Sequence, residues 1–150
     1  MKNFNLIILV VSLIALGYDY FLFVYFKGLM FSPINIQQIS LKFILSASLH
    51  YFLIIRLILI LLPSIVIIFI LLLKIKLNIF NWFSLFVNMF YGLYYLTYVL
   101  PKTKRLYQWD IKNPIRKWKE LYNNYLIATE ILLLISLVNA ILALIVMIYF

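Results

Sequence analysis

Four stretches of the chain are apolar for about 20 residues each, the length that crosses the hydrocarbon core of a bilayer as a helix. They are Leu6–Phe26, Tyr51–Leu73, Ile79–Leu100 and Leu126–Phe150. Apolar residues within them are continuous rather than alternating, which favours helices over the strands of a membrane barrel. The sequence therefore predicts an all-α fold, an integral membrane bundle of four transmembrane helices that forms a single domain over residues 1–150.

The composition supports a membrane environment and excludes several classes of site. Hydrophobic residues make up 67% of the chain and charged residues 11%, whereas soluble proteins average about 45–50% and about 25%. Cysteine is absent, which excludes disulfides, thiolate metal sites and cysteine nucleophiles. No Gly-rich phosphate loop, nucleophile elbow or HExxH motif occurs, which argues against the common nucleotide-dependent and hydrolytic enzymes. No cofactor is predicted.

Proline signals mark the connections between the spans. Ser32-Pro33 and Asn113-Pro114 each read as an N-cap followed by a first-turn proline, which predicts short interfacial helices before spans two and four. The second of these would pass through Trp118 and run on into the fourth span. Pro63 interrupts the second span and predicts a kink there. The link 74–78 is so short that spans two and three are expected to form a tight antiparallel pair.

The distribution of Lys and Arg predicts the orientation in the membrane. Nine of these residues lie in the first and third loops: Lys27, Lys42, Lys102, Lys104, Arg105, Lys112, Arg116, Lys117 and Lys119. The opposite face has three: Lys2, Lys74 and Lys76. By the positive-inside rule, loops one and three are expected in the cytoplasm and both termini outside. The first apolar run continues past Gly17 and is too long for a signal-peptide core, so we expect an uncleaved first helix.

The basic third loop predicts the polar partners of the chain. The net charge of +9 is concentrated beside apolar spans, which favours anionic lipid headgroups over nucleic acid as the counter-charge. Trp109, Trp118, Lys117 and Lys119 are expected to act as interface anchors, because aromatic rings and long cationic side chains prefer the headgroup region.

Ionisable and tyrosine side chains gather in one half of the predicted membrane. When antiparallel spans are aligned at about 1.5 Å per residue, Asp19, Arg56 and Glu130 lie about 6–10 Å from the same face. The predicted intramembrane polar cluster comprises Asp19, His50, Arg56, Tyr91, Tyr94, Tyr98 and Glu130. The tyrosines are spaced i, i+3, i+7, which predicts that they share one helical face. The opposite half is expected to be almost purely aliphatic and Phe.

Several interpretations of this cluster remain open. Asp19 and Arg56 either form a buried pair that fixes packing or stay apart, with Arg56 snorkelling and Asp19 protonated, or they belong to a functional pocket. The tyrosines either pack or line a quinone-like ligand site. Asp19, His50 and Glu130 suit non-haem iron chemically, but no two share a helix at ligand spacing, so no metal site is predicted.

A second polar feature lies near the predicted midplanes of spans three and four. Asn88 and Asn139 fall at similar depth there. An amide hydrogen bond between two transmembrane helices contributes about 0.6–2 kcal/mol. The two asparagines are therefore predicted to hold these helices together.

A resemblance to a known family covers part of the second half of the chain. It is carried by Leu100-Pro101 through Leu106, by Trp118, and by the run Ala128–Leu133 that opens the last helix. These segments resemble the anthrone-oxygenase-like family of small four-helix membrane proteins. There a proline closes the third span and a tryptophan precedes the last helix. A His or Asn and an Arg often lie between that tryptophan and the helix. Here Asn123 and Asn124 occupy that region, without the Arg. The resemblance implies a four-helix bundle and an oxygenase activity.

Three functions are compatible with these features. The first is an accessory or scaffold subunit of a larger membrane assembly, with other membrane subunits or further copies of the chain as partners. The second is a membrane oxygenase or redox protein that uses the intramembrane polar cluster. The third is a small proton-coupled carrier with Asp19 as its protonatable site.

Overall fold

A computed structural model describes residues 2–47, 53–73, 79–108 and 115–149, and every regular element in these ranges is helical. The elements are α1 (Lys2–Leu29), α2 (Ile34–Ala47), α3 (Leu53–Leu72), α4 (Ile79–Tyr94), a π-helical turn (Tyr95–Val99), α5 (Leu100–Tyr107) and α6 (Ile115–Tyr149). The predicted all-α class is thus confirmed for the described part of the chain.

Three of the described helices are long and apolar enough to cross a membrane. They cover Asn5–Leu29, Ile79–Tyr107 and Lys117–Tyr149. This is compatible with a multi-pass membrane protein. The predicted second span coincides with α3, a helix of 20 residues that continues through Pro63, and its crossing of the membrane stays a prediction.

The long helices pack around a common interior. α1 contacts α3 and α6, and α4 contacts the same two helices, so that α1 and α4 face each other across the centre. α1 and α6 are antiparallel, because contacts near the start of α1 fall near the end of α6: Ile8 packs with Ala143, whereas Phe26 meets Tyr125. Consequently, one end of the interior lies at the start of α1 (the N-terminal end) and the other where α1 finishes (the first-loop end).

Regular spacing of the buried residues explains this packing. On α1 the buried positions alternate in steps of three and four: Asn5, Ile8, Ser12, Ala15, Asp19, Leu22 and Phe26. Such a repeat keeps one narrow stripe of a helix against its neighbours, as in coiled coils and many transmembrane bundles. α4 and α6 carry similar stripes. Large apolar side chains such as Leu13, Phe21 and Leu134 are exposed on the outer faces.

The long helix that begins at Ile79 does not end where the sequence predicted. Its predicted span stopped at Leu100, but the helix passes through Pro101 and continues to Tyr107. Proline normally breaks a helix because it lacks an N–H and clashes with the carbonyl four residues back. Here a wider turn precedes it, in which the N–H of Leu100 donates to the carbonyl of Tyr95, five residues back. The wider turn accommodates the proline ring.

The segments beside the predicted spans two and four differ from each other. α2 is a separate helix before α3, and it packs against α5 at the first-loop end, where Leu41 and Leu106 are buried in the same core. No separate short helix precedes the fourth span within the described residues, because α6 is continuous from Ile115 to Tyr149. The proposed cap Asn113-Pro114 lies outside them. An interfacial location for α2 stays a prediction.

Candidate functional site

A carboxylate is buried at the centre of the packed helices. Asp19 on α1 is only 2% exposed. The hydroxyl of Tyr91 on α4 donates a hydrogen bond of 2.7 Å to its Oδ2. The structure thus brings together two residues of the predicted polar cluster, from helices that face each other across the interior. An ionisable side chain at membrane depth is costly to expose to lipid, which is the physical reason for its inward position.

Two asparagines form a reciprocal bond between α4 and α6. The Nδ2 of Asn88 donates to the Oδ1 of Asn139 at 3.2 Å, and the Nδ2 of Asn139 donates to the Oδ1 of Asn88 at 3.1 Å. Asn139 also accepts from the Oγ of Ser84 at 3.2 Å and donates to the Oγ of Ser12 at 3.3 Å. The predicted asparagine pair is therefore brought together and is joined to α1 through Ser12.

These residues belong to a larger set of buried polar side chains, which we call the inner polar cluster. Its members all lie on the buried stripes of α1, α4 and α6: Asn5, Ser12, Asp19, Asn81, Ser84, Asn88, Tyr91, Ser136 and Asn139. The predicted opposite half of the membrane is less purely aliphatic and Phe than expected, because Ser12 and Asn81 are buried there. Isolated small polar residues barely change a hydropathy average, but the spacing of seven between Asn5, Ser12 and Asp19 on α1 is a signal that could have predicted them.

A small internal cavity lies within the inner polar cluster. Its volume is about 10 Å³, and its lining consists of Ser12, Ala15, Asn88, Tyr91, Ser136 and Asn139. A space of this size, surrounded by several polar groups, is at the lower limit for one water molecule. It is too small for an organic substrate and has room for about one water molecule.

The core changes character between Asp19 and the first-loop end. This loop-side core consists of Leu22, Phe26, Leu41, Tyr95, Val99, Leu106, Trp118, Tyr122, Tyr125 and Leu126. Phe26 is completely buried and meets Tyr125 edge to face, with ring centroids 5.2 Å apart. The Tyr122 hydroxyl donates to the backbone carbonyl of Phe26, and Trp118 stacks on Tyr122. On this side of Asp19 the interior therefore combines aromatic rings and aliphatic side chains, with Gln37, Thr103 and Thr129 as buried polar residues.

The predicted tyrosine stripe is divided by the π-helical turn. Tyr91 is 5% exposed, Tyr94 is half-buried and Tyr98 is 46% exposed, so the three do not share a face. A π turn takes up an additional residue, which rotates Tyr98 away from the interior. The Tyr98 ring lies 4.1 Å from the ammonium of Lys102 instead. The hydroxyl of Tyr94 has no hydrogen-bond partner in the described part of the chain.

The remaining predicted site residues are not part of the inner polar cluster as described. Glu130 is exposed and does not face the interior. His50 and Trp109, and the side chain of Arg56, lie outside the described residues. The Asp19–Arg56 pair stays a prediction. Among the residues that the structure describes, no three His, Cys, Asp or Glu side chains converge to hold a metal ion.

The predicted anchors divide into exposed and buried residues. Lys117 and Lys119 are exposed, which suits contact with headgroups. Trp118 is 1% exposed, and its indole N–H donates to the Oε1 of Gln37 at 3.4 Å. It packs in the core rather than on the outer surface, because the stripe of buried positions on α6 already begins there.

An apolar groove runs along the outer surface between α4 and α6. Its volume is about 380 Å³, and its lining is Phe86, Val87, Phe90, Ile131, Leu134, Ile135 and Val138.

No protein-family model, curated protein or solved structure matches the chain. The resemblance to the anthrone-oxygenase-like family stays a prediction.

Proposed function

We propose that the chain is an accessory or scaffold subunit of a larger membrane assembly. One observation carries this proposal: the side chains of Ser12, Ser84, Asn88 and Asn139 form hydrogen bonds with one another. A catalytic or transport pocket needs polar groups that are directed at a ligand and a space that admits it. The cavity beside these residues is only about 10 Å³. Such an interior holds helices together.

The proposed membrane arrangement has four spans, with α3 as the second. This rests on its 20 residues, among which Arg56 is the single charged residue. We place loops one and three in the cytoplasm and both termini outside. The exposed cations Lys104, Arg105, Lys117 and Lys119 support contact between the third loop and anionic headgroups.

The outer surface supports association with other membrane helices. Every long helix exposes large apolar side chains, for example Phe21 on α1, Phe86 on α4 and Leu134 on α6. Within a bilayer such surfaces contact either lipid tails or other apolar helices. Partners are therefore expected to be membrane subunits or further copies of this chain rather than nucleic acid.

The test is purification in a mild detergent followed by native mass measurement, an absorption spectrum and metal analysis. The scaffold proposal expects partner chains or additional copies at fixed stoichiometry, with no chromophore. A bound chromophore or a stoichiometric metal would contradict it and favour the oxygenase or redox alternative. A monomer without partner chains, chromophore or metal would contradict both the scaffold proposal and the oxygenase or redox alternative.

A second candidate function is favoured by Asp19. A buried carboxylate on the central stripe of a membrane helix is a candidate proton-binding site, which a small proton-coupled carrier requires. The substitution Asp19→Asn separates the two functions. A scaffold would still assemble with its partners, whereas a proton-coupled carrier would lose transport in proteoliposomes.

A further inference from the structure

The apolar groove between α4 and α6 continues into a row of aromatic rings that leads toward the first-loop end. Phe90 lines the groove, and its ring centroid lies 6.4 Å from that of Tyr94. The Tyr94 and Tyr98 centroids are 5.3 Å apart, and the ammonium of Lys102 lies 4.1 Å from the Tyr98 centroid. We call Phe90, Tyr94 and Tyr98 the ring row. It connects the groove to a cation.

Two cations lie where the ring row ends. Lys102 and Arg105 are three residues apart on α5, a spacing that places side chains next to each other on a helix. Both follow Leu100, where the predicted span stops, and this is the depth of the headgroups. Lysine and arginine at that depth attract anionic headgroups, and arginine can bind phosphate through two parallel N–H groups. The exposed carboxylates of α6, Glu120 and Glu130, do not line the groove.

The distance between the groove and the cations matches one leaflet of a bilayer. From Lys102 to Phe90 is about 18 Å along the helix at about 1.5 Å per residue. One half of the hydrocarbon core is about 15 Å thick. A phospholipid whose phosphate lies at Lys102 therefore places the ends of its acyl chains at the level of Phe90 and the groove.

The lining of the groove suits an acyl chain better than a helix. It consists of Phe, Val, Ile and Leu, and none of the described residues that line it is Gly, Ala or Ser. Membrane helices that pack closely use such small residues at the contact. The small residues of α4 and α6 are buried in the interior instead: Ser84, Gly92, Ala128, Ser136, Ala140 and Ala143. The groove thus offers its space to a flexible chain.

We propose that the groove and the ring row bind one anionic phospholipid of the leaflet at the first-loop end. An acyl chain occupies the groove and lies along the ring row, and the phosphate is bound by Lys102 and Arg105. Such a lipid contacts α4 and α6 together and holds them from outside. The proposal rests on the proposed membrane arrangement, in which Ile79–Leu100 spans the bilayer, and is independent of the choice between scaffold and carrier.

The experiment counts the lipids that stay bound to the full-length protein. The protein is purified in a mild detergent and titrated with phosphatidylglycerol, and native mass spectrometry measures the lipid-bound and lipid-free chains. Phosphatidylcholine with the same acyl chains tests the charge of the headgroup, and glycerol 3-phosphate tests the need for acyl chains. We expect one phosphatidylglycerol per chain, bound on the order of tenfold more tightly than phosphatidylcholine because two cations face it. Glycerol 3-phosphate should not be retained.

Two matched pairs of variants locate the lipid. Lys102→Gln removes a cation of the site, and Lys104→Gln removes an exposed cation from another face of the same helix. Leu134→Trp fills the groove, and Leu137→Trp adds the same ring at an exposed position outside it. Lys102→Gln and Leu134→Trp should each weaken phosphatidylglycerol binding about fivefold, through loss of one cation and of acyl-chain burial. The other two variants should bind as the wild type does.

Equal effects of Lys102→Gln and Lys104→Gln would overturn the proposal, because binding would then be a general attraction to the basic loop. Equal effects of the two tryptophan variants, equal binding of phosphatidylcholine, or retained glycerol 3-phosphate would overturn it as well. A protein partner that is lost in Leu134→Trp would assign the groove to a helix instead. If Leu134→Trp does not fold by circular dichroism, Ile131→Trp in the same groove carries the same expectation. The scaffold proposal fails separately, when no partner chain or second copy co-purifies, and that result leaves the lipid site standing.

Discussion

Asn139 links three helices through its side-chain amide. Its oxygen accepts from Ser84 and Asn88 of α4, and its nitrogen donates to Asn88 and to Ser12 of α1. No water competes for such groups in a hydrocarbon environment, so each lost partner leaves a polar atom unsatisfied. Asn139 is thus the residue whose loss should affect packing of α1, α4 and α6 together.

Asn139→Leu is expected to lower the free energy of unfolding by about 1–2 kcal/mol, the upper part of the range for interhelical hydrogen bonds in membranes. The measurement is reversible unfolding in mixed micelles. Val138→Leu, at an exposed neighbouring position, is the control and should change stability by less than about 0.5 kcal/mol. Equal effects of the two substitutions would show that the amide contributes nothing.

Tyr91 and Tyr98 offer a matched pair at the same chain segment. Tyr91→Phe removes the donor to Asp19 and should cost about 1–2 kcal/mol, because a buried carboxylate loses a hydrogen bond. Tyr98→Phe keeps the ring beside Lys102 and should be nearly neutral. Thermal unfolding of both variants in detergent tests this, and a loss at Tyr98 as large as that at Tyr91 would argue against it.

The π-helical turn sets the register of the long helix Ile79–Tyr107. Before it, the buried positions include Asn88 and Tyr91, within it they are Tyr95 and Val99, and after it they include Thr103. The turn takes up one additional residue, which keeps Tyr95 and Val99 inward while Tyr98 rotates outward. Uninterrupted α-helical periodicity would place Tyr98 on the face of Tyr91, and the π-helical turn is the reason that this prediction is wrong.

Deletion of one residue should be tolerated in this turn and not in α4. Thr97 is exposed within the π-helical turn, and its removal converts the turn to ordinary α-helix with the buried stripe preserved. We expect a loss of about 1 kcal/mol or less. Deletion of Phe86, also exposed, rotates Asn88 and Tyr91 out of the interior and should prevent folding. Circular dichroism and size-exclusion profiles distinguish the outcomes, and similar behaviour of the two deletions would refute the register argument.

The end of α1 is held by side chains from two other helices. The Nε2 of Gln37 on α2 donates to the carbonyls of Met30 and Ser32 at 3.0 and 2.8 Å. Its Oε1 accepts from Trp118 of α6, and Tyr122 donates to the carbonyl of Phe26. The last carbonyls of a helix lack partners within it. Those of Lys27, Gly28 and Leu29 accept from N–H groups of the following turn, and Tyr122 supplies the donor to Phe26. One glutamine thereby fastens the turn after α1 to α6.

Gln37→Leu should destabilise this end of the molecule locally. Three hydrogen bonds disappear, with an expected cost of about 1–3 kcal/mol. Hydrogen exchange should become faster over residues 27–37 and stay unchanged over residues 8–19. The neighbouring Gln38→Leu is the control and should leave exchange unaltered. Uniformly faster exchange would contradict a local role for Gln37.

At the scale of the whole molecule, stripes of buried residues on three helices surround an interior that is polar toward the N-terminal end and aromatic toward the first-loop end. The outer surface is apolar on every long helix. This distribution, with polar groups inside and apolar groups outside, suits a lipid solvent. In lipid the hydrophobic effect does not drive helices together, whereas interior polar contacts and close packing do.

Orientation in the membrane is testable because the chain has no cysteine. Single cysteines replace Lys42, Asn78, Lys104 and Tyr149, and intact cells are treated with a membrane-impermeant thiol reagent. The proposed four-span arrangement expects labelling at 78 and 149 but not at 42 and 104 until the cells are opened. Labelling of 42 and 78 from the same side would refute a transmembrane α3, whereas reversal of the whole pattern would refute the orientation.

The sequence by itself determined the helical class and predicted four spans, three of which are described as helices long and apolar enough to cross a membrane, because this follows from lengths and composition. The burial of Asp19 agrees with the cost of a charge in hydrocarbon. The sequence also predicted that Asn88 and Asn139 meet, since antiparallel spans place them at one depth. Only the tertiary structure decided which faces point inward. The partners of Ser12 and Ser84, the exposure of Glu130 and the outward turn of Tyr98 depend on the rotation of each helix about its axis. That rotation is set by contacts between distant segments, and a count of apolar residues along one segment carries no information about it.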